Sequence, residues 1–426
     1  MFGTRRRFLT LIGTTSIAGI TGCSGDNTDE NESPTIEPDQ PQQVDTLAAG
    51  LEFGTRDLGE AVAVSNDSAI ILVSDSGWEY DTGAAYVFEQ SGSEWNHQQN
   101  LLAEDSRKGN NVAESLAISN DGSTAVLGAP SIGGADETPT ERAGSAYIFK
   151  RSDGVWNQRA KLTADGSDDT DLFGIPVAVS GDASTAVVGA ASSIYIFEQS
   201  NGEWNQQTIL SPDDSNDEDR FGTGLAISGN GTTVIVGAPG EESSNRRRAG
   251  SAYVFAQSNG EWRQQTKLTA SNDESAEQYG YSVAVSDDGK TAIVGANSGR
   301  NSTLDRAGVA FVFEKSDGIW SREEKLAPES VNGGSLESVT ITDDGSTIAI
   351  GAPNGIPGEG EGSVFLFEQS NGVWNQQATL SPEDTDSKSI FGWSVTVSGD
   401  GDTTVVGAPS GSPPEEDKKG SAYVFQ

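Results

Sequence analysis

The fold of this chain is decided by residues 221–268, which read FGTGLAISGNGTTVIVGAPGEESSNRRRAGSAYVFAQSNGEWRQQTKL. The stretch contains four short runs rich in Val, Ile, Tyr, Phe and Thr, and Gly, Asn or Ser residues bound these runs. This pattern is typical of β-strands that are connected by tight hairpins. A similar four-strand unit recurs about every 50 residues along most of the chain, and such a period predicts a β-propeller.

Constant spacings allow the units to be counted. We name the four strands of a unit A to D, from the propeller axis outwards. The start of strand A is followed 12 positions later by the small residue that ends strand B, and this spacing occurs seven times. The predicted starts of strand A are Val62, Leu116, Val177, Leu225, Val283, Val339 and Val395.

A second constant spacing joins strands C and D. A Phe that we expect to close strand C is followed seven residues later by a Trp in strand D, as in Phe255 and Trp262. The six Trp side chains could be interpreted as an aromatic ligand-binding ring. Because equivalent positions on the outer strands of a propeller lie far apart, we expect them instead to pack against neighbouring sheets.

The seventh unit has no strand D at its C-terminal end, where the sequence stops at Gln426. The segment PQQVDTL, residues 41–47, is a candidate, because Leu47 stands 11 residues before Leu58, as the Leu of strand D does before Phe or Tyr in four later units. Pro41 then takes the Trp position. We expect residues 42–48 to pair with strand C of the last blade and to remove the exposed edge there. The predicted fold is all-β, a seven-bladed β-propeller of four-stranded antiparallel blades.

The N-terminal residues resemble an export signal. Residues 1–23 carry consecutive arginines, Arg5 to Arg7, before an apolar segment that is too short to span a membrane, and they end in ITGC. The resemblance to a twin-arginine lipoprotein signal implies export, lipid attachment at Cys23 and location on the outer face of the cell membrane. Residues 24–40 are acidic and nearly free of apolar side chains, which predicts a disordered tether. The propeller domain is then expected over residues 41–426.

The charge of the chain limits its partners. Its 426 residues include 64 acidic and 26 basic side chains, and the formal net charge is −38. Nucleic acid is excluded as a partner, because it requires a positive protein surface, and membrane contact is expected only through the lipid anchor. We interpret the acidity as an adaptation to high salt, and a store of bound cations is the alternative. One Cys and one His leave no Cys or His cluster for a metal.

The connection between strands B and C is the part of the unit that varies. It runs from 3 residues in the third unit to 16 in the second, whereas the A–B and C–D turns are short and repeated. The B–C loops and the D–A crossovers emerge on one face of a propeller, which we call the loop face; the A–B and C–D turns form the opposite, turn face. Because functional residues concentrate in loops on a rigid scaffold, we expect function at the loop face.

Two sets of charged residues on this face are candidate sites. Arg246, Arg247 and Arg248 form the triple arginine of the fourth B–C loop and could hold carboxylates of a partner or an anionic glycan; pairing with nearby acidic residues is the alternative. The acidic D–A crossover places Asp213, Asp217 and Asp219 where Ca²⁺ could bind if the loop curls. The alternative is a solvated, salt-adapted loop, so no cofactor is expected except Ca²⁺ on that condition.

The units resemble FG-GAP repeats, which build the seven-bladed propeller of integrin α-subunits and of many microbial surface proteins. The resemblance covers residues 42–426. Repeat sequences such as AYVFEQSNGEWNQQ are similar to those of the microbial, haloarchaeal lipoprotein branch. The residues that carry it are Phe173-Gly174, Phe221-Gly222, Tyr279-Gly280, Phe391-Gly392, Gly128-Ala129-Pro130, Gly237-Ala238-Pro239, Gly351-Ala352-Pro353 and Gly407-Ala408-Pro409.

Three units depart from the FG pair, with Leu58-Gly59, Val112-Ala113 and Ser335-Leu336 at these positions. The A–B turns, such as SDDGKT, are also too short for the calcium loop of integrin-type blades. The resemblance implies a non-catalytic binding or adhesion module whose loop face contacts a protein or glycan. A carbohydrate-active enzyme, either a glycosidase with paired carboxylates or a lyase with Tyr and Arg, and a structural component of the cell envelope remain alternatives.

Overall fold

The computed structural model describes residues 40–47, 57–77, 82–130, 144–165, 172–212, 214, 219–242, 248–270, 277–297, 308–328, 335–353, 362–383, 390–409 and 420–426. These residues belong to one compact unit, Gln40–Gln426. Its 28 strands form seven four-stranded antiparallel sheets. The predicted seven-bladed β-propeller is therefore confirmed.

Within each blade the strands pair in the order A, B, C, D. Blade 1 consists of β2 (Val62–Val64), β3 (Ile70–Asp75), β4 (Ala84–Ser91) and β5 (Glu94–Leu101); blade 2 of β6 (Ser115–Ile118), β7 (Thr124–Ala129), β8 (Ser145–Ser152) and β9 (Val155–Leu162); blade 3 of β10 (Val177–Val179), β11 (Thr185–Ala190), β12 (Ser193–Ser200) and β13 (Glu203–Leu210); blade 4 of β14 (Leu225–Ile227), β15 (Thr233–Ala238), β16 (Ser251–Ser258) and β17 (Glu261–Leu268).

The remaining blades follow the same order. Blade 5 consists of β18 (Tyr279–Val285), β19 (Thr291–Ala296), β20 (Val309–Ser316) and β21 (Ile319–Leu326); blade 6 of β22 (Ser338–Ile341), β23 (Thr347–Ala352), β24 (Ser363–Ser370) and β25 (Val373–Leu380); blade 7 of β26 (Ser394–Val397), β27 (Thr404–Ala408), β28 (Ser421–Phe425) and β1 (Gln43–Leu47). Every predicted start of strand A lies inside the corresponding strand.

The strands A are the innermost strands of the ring. Each one contacts the strand A of the next blade, and β26 of the last blade contacts β2 of the first. The blades therefore follow one another around a common axis, and the ring is closed.

The closing strand is β1, as the sequence predicts. It pairs antiparallel with β28, with Gln43 opposite Phe425 and Leu47 opposite Ala422. Strand D of blade 3 has the same register. There Gln206, two residues after Trp204, lies opposite Phe197, as Gln43, two residues after Pro41, lies opposite Phe425. Blade 7 thus combines the two ends of the propeller: β28 is paired on both sides, and β1 is the outer strand of the blade, as strand D is in the others.

The hydrophobic core lies between the blades. Phe173 and Val188 of blade 3, for example, belong to one cluster with Ile148 and Leu162 of blade 2. The Trp side chains of strand D take part in these clusters, and Trp156 is only 3% exposed. All six pack in this way, at positions 95, 156, 204, 262, 320 and 374. The expectation that they are structural is confirmed.

The FG pair of one blade and the GAP triplet of the preceding blade meet at a close contact between blades. A Cβ atom on Gly237, at the end of β15, would lie 1.7 Å from the carbonyl oxygen of Gly280 in the next blade. A side chain at Gly237 therefore cannot be accommodated without moving backbone. The Gly of GAP in one blade and the Gly that follows the aromatic residue in the next are both needed for this approach.

The expectation that Phe255 closes strand C is wrong. β16 continues for three more residues and ends at Ser258. Asn259 and Gly260 follow with φ of 54° and 79°. Positive φ at both positions defines a type I′ turn, which Asn-Gly favours and which matches the twist of the two strands. The strand therefore ends where the turn residues require it and not at the aromatic residue.

The sixth unit departs from the expected spacing by one residue. The sequence assigns Ser335 and Leu336 to the FG positions. In the structure Leu336 takes the position of Phe, because it packs on Gly308 as Phe391 packs on Gly362. The backbone N–H of Glu337 then donates to the carbonyl oxygen of Gly351 (3.1 Å), a bond that the Gly of the FG pair makes in other blades. This connection to strand A is one residue shorter than the others.

Candidate functional site

The turn face is built from one hydrogen-bonding motif that all seven A–B turns share. In blade 2, Ser119 Oγ donates to Asp121 Oδ1 (2.7 Å), the backbone N–H of Ser123 donates to the same oxygen (2.9 Å), and the N–H of Thr124 donates to Ser119 Oγ (3.0 Å). Equivalent residues form these three bonds in the other blades. The carboxylates of this motif, and the amide oxygen of Asn230 in blade 4, are therefore used within the turns.

Further hydrogen bonds cross the axis on the turn face. The side-chain amide of Asn120 in blade 2 donates to Asp287 Oδ1 in blade 5 (3.0 Å), and the amide of Asn66 donates to Asp343. Burial, followed by the charge of Asp287, raises the pKa of Asp343 to about 6. Backbone N–H groups of one turn also donate to backbone carbonyl oxygens of the next turn, at 2.9–3.3 Å. The donor and acceptor residues are Asn66 and Asn120, Asn120 and Gly181, Gly181 and Gly229, Asn230 and Asp287, Asp287 and Asp343, and Asp343 and Gly399.

On the loop face, one member of the predicted arginine cluster lies within the described residues. Arg248 is exposed, has a φ of 54° and accepts a hydrogen bond at its carbonyl oxygen from the N–H of Gln278 (2.9 Å). Among the described contacts its side chain forms no ion pair. Arg246 and Arg247 lie outside the described residues. Glu241, a residue that could pair with the cluster, is instead bonded to Lys267.

Lys267 belongs to a four-residue network that sequence reasoning missed. Its Nζ contacts Asp214 (2.8 Å) and Glu241 (2.5 Å). The hydroxyl of Tyr253 lies within hydrogen-bond distance of the same two carboxylates, at 3.1 and 3.0 Å, and can donate its one proton to either. The hydrogen bond from Lys267 holds the pKa of Asp214 below its usual value. Burial of the Tyr253 ring raises the pKa of its hydroxyl. The network fixes the D–A crossover and the B–C loop to strands C and D of blade 4.

Blade 2 contains a simpler form of the same arrangement. Tyr147 donates to Asp105 Oδ1 (2.9 Å), and Lys161 contacts the other oxygen of Asp105 (2.5 Å). Burial again raises the pKa of the Tyr hydroxyl. The sequence signal for both networks is an Asp four residues after the Leu of strand D, together with Tyr in strand C and Lys in strand D.

The predicted calcium ligands are only partly described. Asp213 and Asp217 lie outside the described residues. Asp219 is 2% exposed, and its carbonyl oxygen accepts a bond from the N–H of Gly240 (2.9 Å). Within the described ranges, no group of three or more Asp, Glu, His or Cys side chains is arranged to hold a metal ion. A calcium site at these three aspartates stays a prediction.

Cys23, the predicted lipid-attachment residue, lies outside the described residues. For the part of the chain that is described, no helix has the length and apolar character needed to cross a membrane.

A group of acidic residues at the start of blades 1 and 2 was also missed. Asp75 ends β3, where the other six blades have Ala, and its side chain is completely buried. Glu60 and Glu114 stand two residues before Val62 and Leu116, at equivalent positions of blades 1 and 2, and are half-buried. All three lie on the loop face, because strand A begins and strand B ends there. The sequence signal was Ser74-Asp75 in place of Gly-Ala.

Burial raises the pKa values of these three carboxyl groups. The pKa of Asp75 is raised to about 7 by burial; the backbone N–H of Asp57 opposes this increase, and the charges of Asp57 and Glu60 add to it. The pKa of Glu60 is also raised to about 7, by burial and then by the charges of Glu114 and Asp57, although Ser76 donates a hydrogen bond to it. Burial raises the pKa of Glu114. The group therefore concentrates negative charge in a poorly solvated place.

The fold and its two unlike faces define a closed, seven-bladed β-propeller. The chain matches the family model described as FG-GAP repeat over residues 95–149, 156–196, 204–255, 262–313 and 374–425, which is more than half of its length. It therefore belongs to the FG-GAP repeat family. Each of the five matched segments begins at the Trp of one strand D and ends in the next strand C. No curated protein matches the chain.

Proposed function

We propose that this propeller is an exported, lipid-anchored, non-catalytic binding or adhesion module of the cell surface, whose loop face contacts a protein or glycan. The single observation that carries the proposal is the difference between the two faces. The turn face repeats one set of hydrogen bonds seven times, whereas the described parts of the loop face carry different polar groups in different blades. Variation on a rigid scaffold is typical of recognition.

Arg248 supports a partner that carries carboxylates. Its guanidinium is exposed, and the nearby Glu241 is occupied by Lys267. A guanidinium that forms no ion pair among the described residues can form paired hydrogen bonds with a carboxylate of a glycan or of an acidic protein. Arg246 and Arg247 directly precede it and would add to the same attraction.

The described tyrosines support a non-catalytic role. A lyase of the Tyr and Arg type needs a tyrosine that loses its proton easily, but burial raises the pKa of both Tyr147 and Tyr253. Their hydroxyls donate to carboxylates that lysines also hold. We therefore propose no catalytic residue, and Ca²⁺ at the acidic D–A crossover stays the one cofactor that the sequence allows.

The proposed location rests on the sequence. Residues 1–23 resemble a twin-arginine lipoprotein signal with Cys23 as the lipidated residue, and the formal charge of −38 is consistent with a protein of a salt-loving organism. Together with the amino-acid sequence of the repeats, these features favour the microbial, haloarchaeal lipoprotein branch of the family, with integrin α-type blade architecture. The lipid would be the contact with the membrane.

Binding of the labelled full chain to intact cells and to an array of anionic and neutral glycans tests the proposal. We expect replacement of Arg246, Arg247 and Arg248 by Ser to weaken binding, because the substitution removes the exposed positive charge of the loop face. Lys290→Ser on the turn face is the matched control and should leave binding unchanged. Equal loss in both variants, or cleavage of any glycan on the array, would overturn the proposal.

A further inference from the structure

We propose that the loop face carries a binding site for an alkylammonium group, formed by Glu60 and Glu114 beside the propeller axis, with Asp75 beneath them and Trp393 at its edge. The inference deepens the proposed function and rests on it, because it names a ligand class for the same face. The alkylammonium group could belong to a polyamine or to lysine side chains of a protein.

Asp75 is the observation that points to a ligand. Its side chain is 0% exposed, and no described side chain donates to either carboxylate oxygen; the described donor that approaches it is the backbone N–H of Asp57, outside normal hydrogen-bond geometry. A buried carboxylate with so weak a partner is unfavourable by several kcal/mol as a rule. Of the oxygens of Glu114, Oε2 is likewise buried and has no hydrogen-bond partner. The protein thus maintains acidic groups that its own described side chains do not satisfy.

The three carboxylates come from adjacent elements. Glu60 and Asp75 belong to neighbouring strand ends of blade 1, and Ser76, next to Asp75, donates to Glu60 Oε2. Glu114 stands at the position of Glu60 in the next blade. No described ion pair involves any of the three. A cation from outside the protein would therefore offset charge that the described lysines and arginines leave uncompensated.

Trp393 adds an aromatic surface at the seam between blades 7 and 1. It precedes Ser394, whose Oγ donates to the carbonyl oxygen of Gly59 (3.0 Å), and Glu60 follows Gly59. Trp393 and Glu60 therefore each stand one residue away from this hydrogen bond, on adjacent blades. With 36% of its surface exposed, Trp393 is the most accessible aromatic residue among the described parts of the crossovers. An indole face next to carboxylates attracts organic cations.

The same geometry favours an organic cation over a metal ion and over a neutral sugar. A metal ion needs ligands that converge on one point, and no three acidic side chains among the described residues do so. Ammonium groups on a flexible chain can reach carboxylates that lie apart. A neutral sugar could stack on Trp393, but it would leave the negative charge uncompensated.

The raised pKa values support the site and predict its pH dependence. The groups that face Glu60 are Asp57, Asp75, Glu114 and Ser76. Because the pKa values of Glu60 and Asp75 are about 7, the carboxyl groups ionise fully only above that pH. Binding of an ammonium group should therefore strengthen from pH 6 to pH 8 and release protons at the lower pH.

Isothermal titration of the full chain with spermidine, and separately with tri-lysine, tests the proposal at a fixed KCl concentration that keeps the protein folded. We expect both probes to bind at pH 8, and E60Q and E114Q to weaken each by at least about tenfold, as removal of one partner of an ion pair does. Asp75→Ala, which introduces the residue of the other blades, should also weaken binding. E94Q, on exposed strand D of blade 1, is the matched control.

The outcomes separate the sources of the ligand and the two proposals. Tighter binding of spermidine than of tri-lysine would assign a polyamine, and the reverse would assign lysines of a protein. Equal affinity of E60Q, E114Q and E94Q, or binding of CaCl₂ or N-acetylglucosamine with no spermidine binding, would overturn the inference. Cell and glycan binding through Arg246 to Arg248 is measured in a separate experiment. Failure of the alkylammonium site would therefore leave the proposed binding function standing, and the reverse also holds.

Discussion

Gln43 Oε1 accepts a hydrogen bond from the backbone N–H of Glu383 (2.9 Å), which joins the closing strand to the crossover that leaves blade 6. In blade 3, Gln206 Oε1 accepts the equivalent bond from the backbone N–H of Asp165, in the crossover that leaves blade 2 (3.1 Å). Both glutamines lie opposite a Phe of strand C. The closing strand therefore reproduces the contact between blades as well as the pairing within a blade.

The first prediction concerns this side chain. Gln43→Ala should lower the free energy of unfolding by about 1 kcal/mol, because it removes the hydrogen bond between blades, leaves the N–H of Glu383 without its acceptor and also removes the local bond from Gln43 Nε2 to Thr46 Oγ1 (3.0 Å). Urea denaturation at constant salt measures the change. Gln42→Ala is the matched control, since the side chain of Gln42 bonds only the neighbouring Gln40. An equal loss in both variants would show that the bond of Gln43 has no special role.

The second prediction concerns ring closure. Deletion of residues 41–48 should lower the melting temperature by about 10 °C or more, because it leaves β28 as an open edge and removes the buried Leu47. Scanning calorimetry measures the melt, and light scattering should detect association through the free edge. Deletion of eight residues from the tether, 24–31, is the control. An unchanged melt after the first deletion would contradict closure by this strand.

The repeats made this part of the fold predictable. The distances from Leu47 to Leu58 and from Pro41 to Leu47 match those of complete blades, so the closing strand could be assigned before any coordinates. Strand ends were harder, since the end of β16 depends on the turn geometry of Asn259 and not on a marked residue. The acidic group was missed because Asp75 only breaks a pattern, while its burial depends on neighbouring chain segments.

The third prediction concerns Gly237. Gly237→Ala should lower the free energy of unfolding by about 3 kcal/mol or more, because the new Cβ atom would lie 1.7 Å from the carbonyl oxygen of Gly280. Gly260→Ala is the matched control: open space surrounds Gly260, and only its φ of 79° opposes a side chain. That control should cost about 1–2 kcal/mol. Urea denaturation compares the two variants. Equal effects would show that the blades can separate to accept a methyl group.

The last prediction concerns pH. The pKa values of Glu60 and Asp75 are about 7 in the folded chain and near 4 when unfolded, so the folded state binds more protons between pH 4 and pH 7. Stability contributed by these groups is therefore greatest at acidic pH, falls as the pH rises through 7 and stays low above it. Asp75→Ala should remove part of this slope and stabilise the protein at pH 8 by about 2 kcal/mol, because a buried charge is lost.

Urea denaturation of the parent chain and of Asp75→Ala at pH 5 and pH 8 measures this difference. The variant should gain stability over the parent at pH 8 and gain much less at pH 5, where the carboxyl group of Asp75 is protonated and its burial costs less. Spermidine at pH 8 should stabilise the parent more than the variant, since it would compensate the same charge. A variant less stable than the parent at both pH values would mean that Asp75 has a partner in the folded chain.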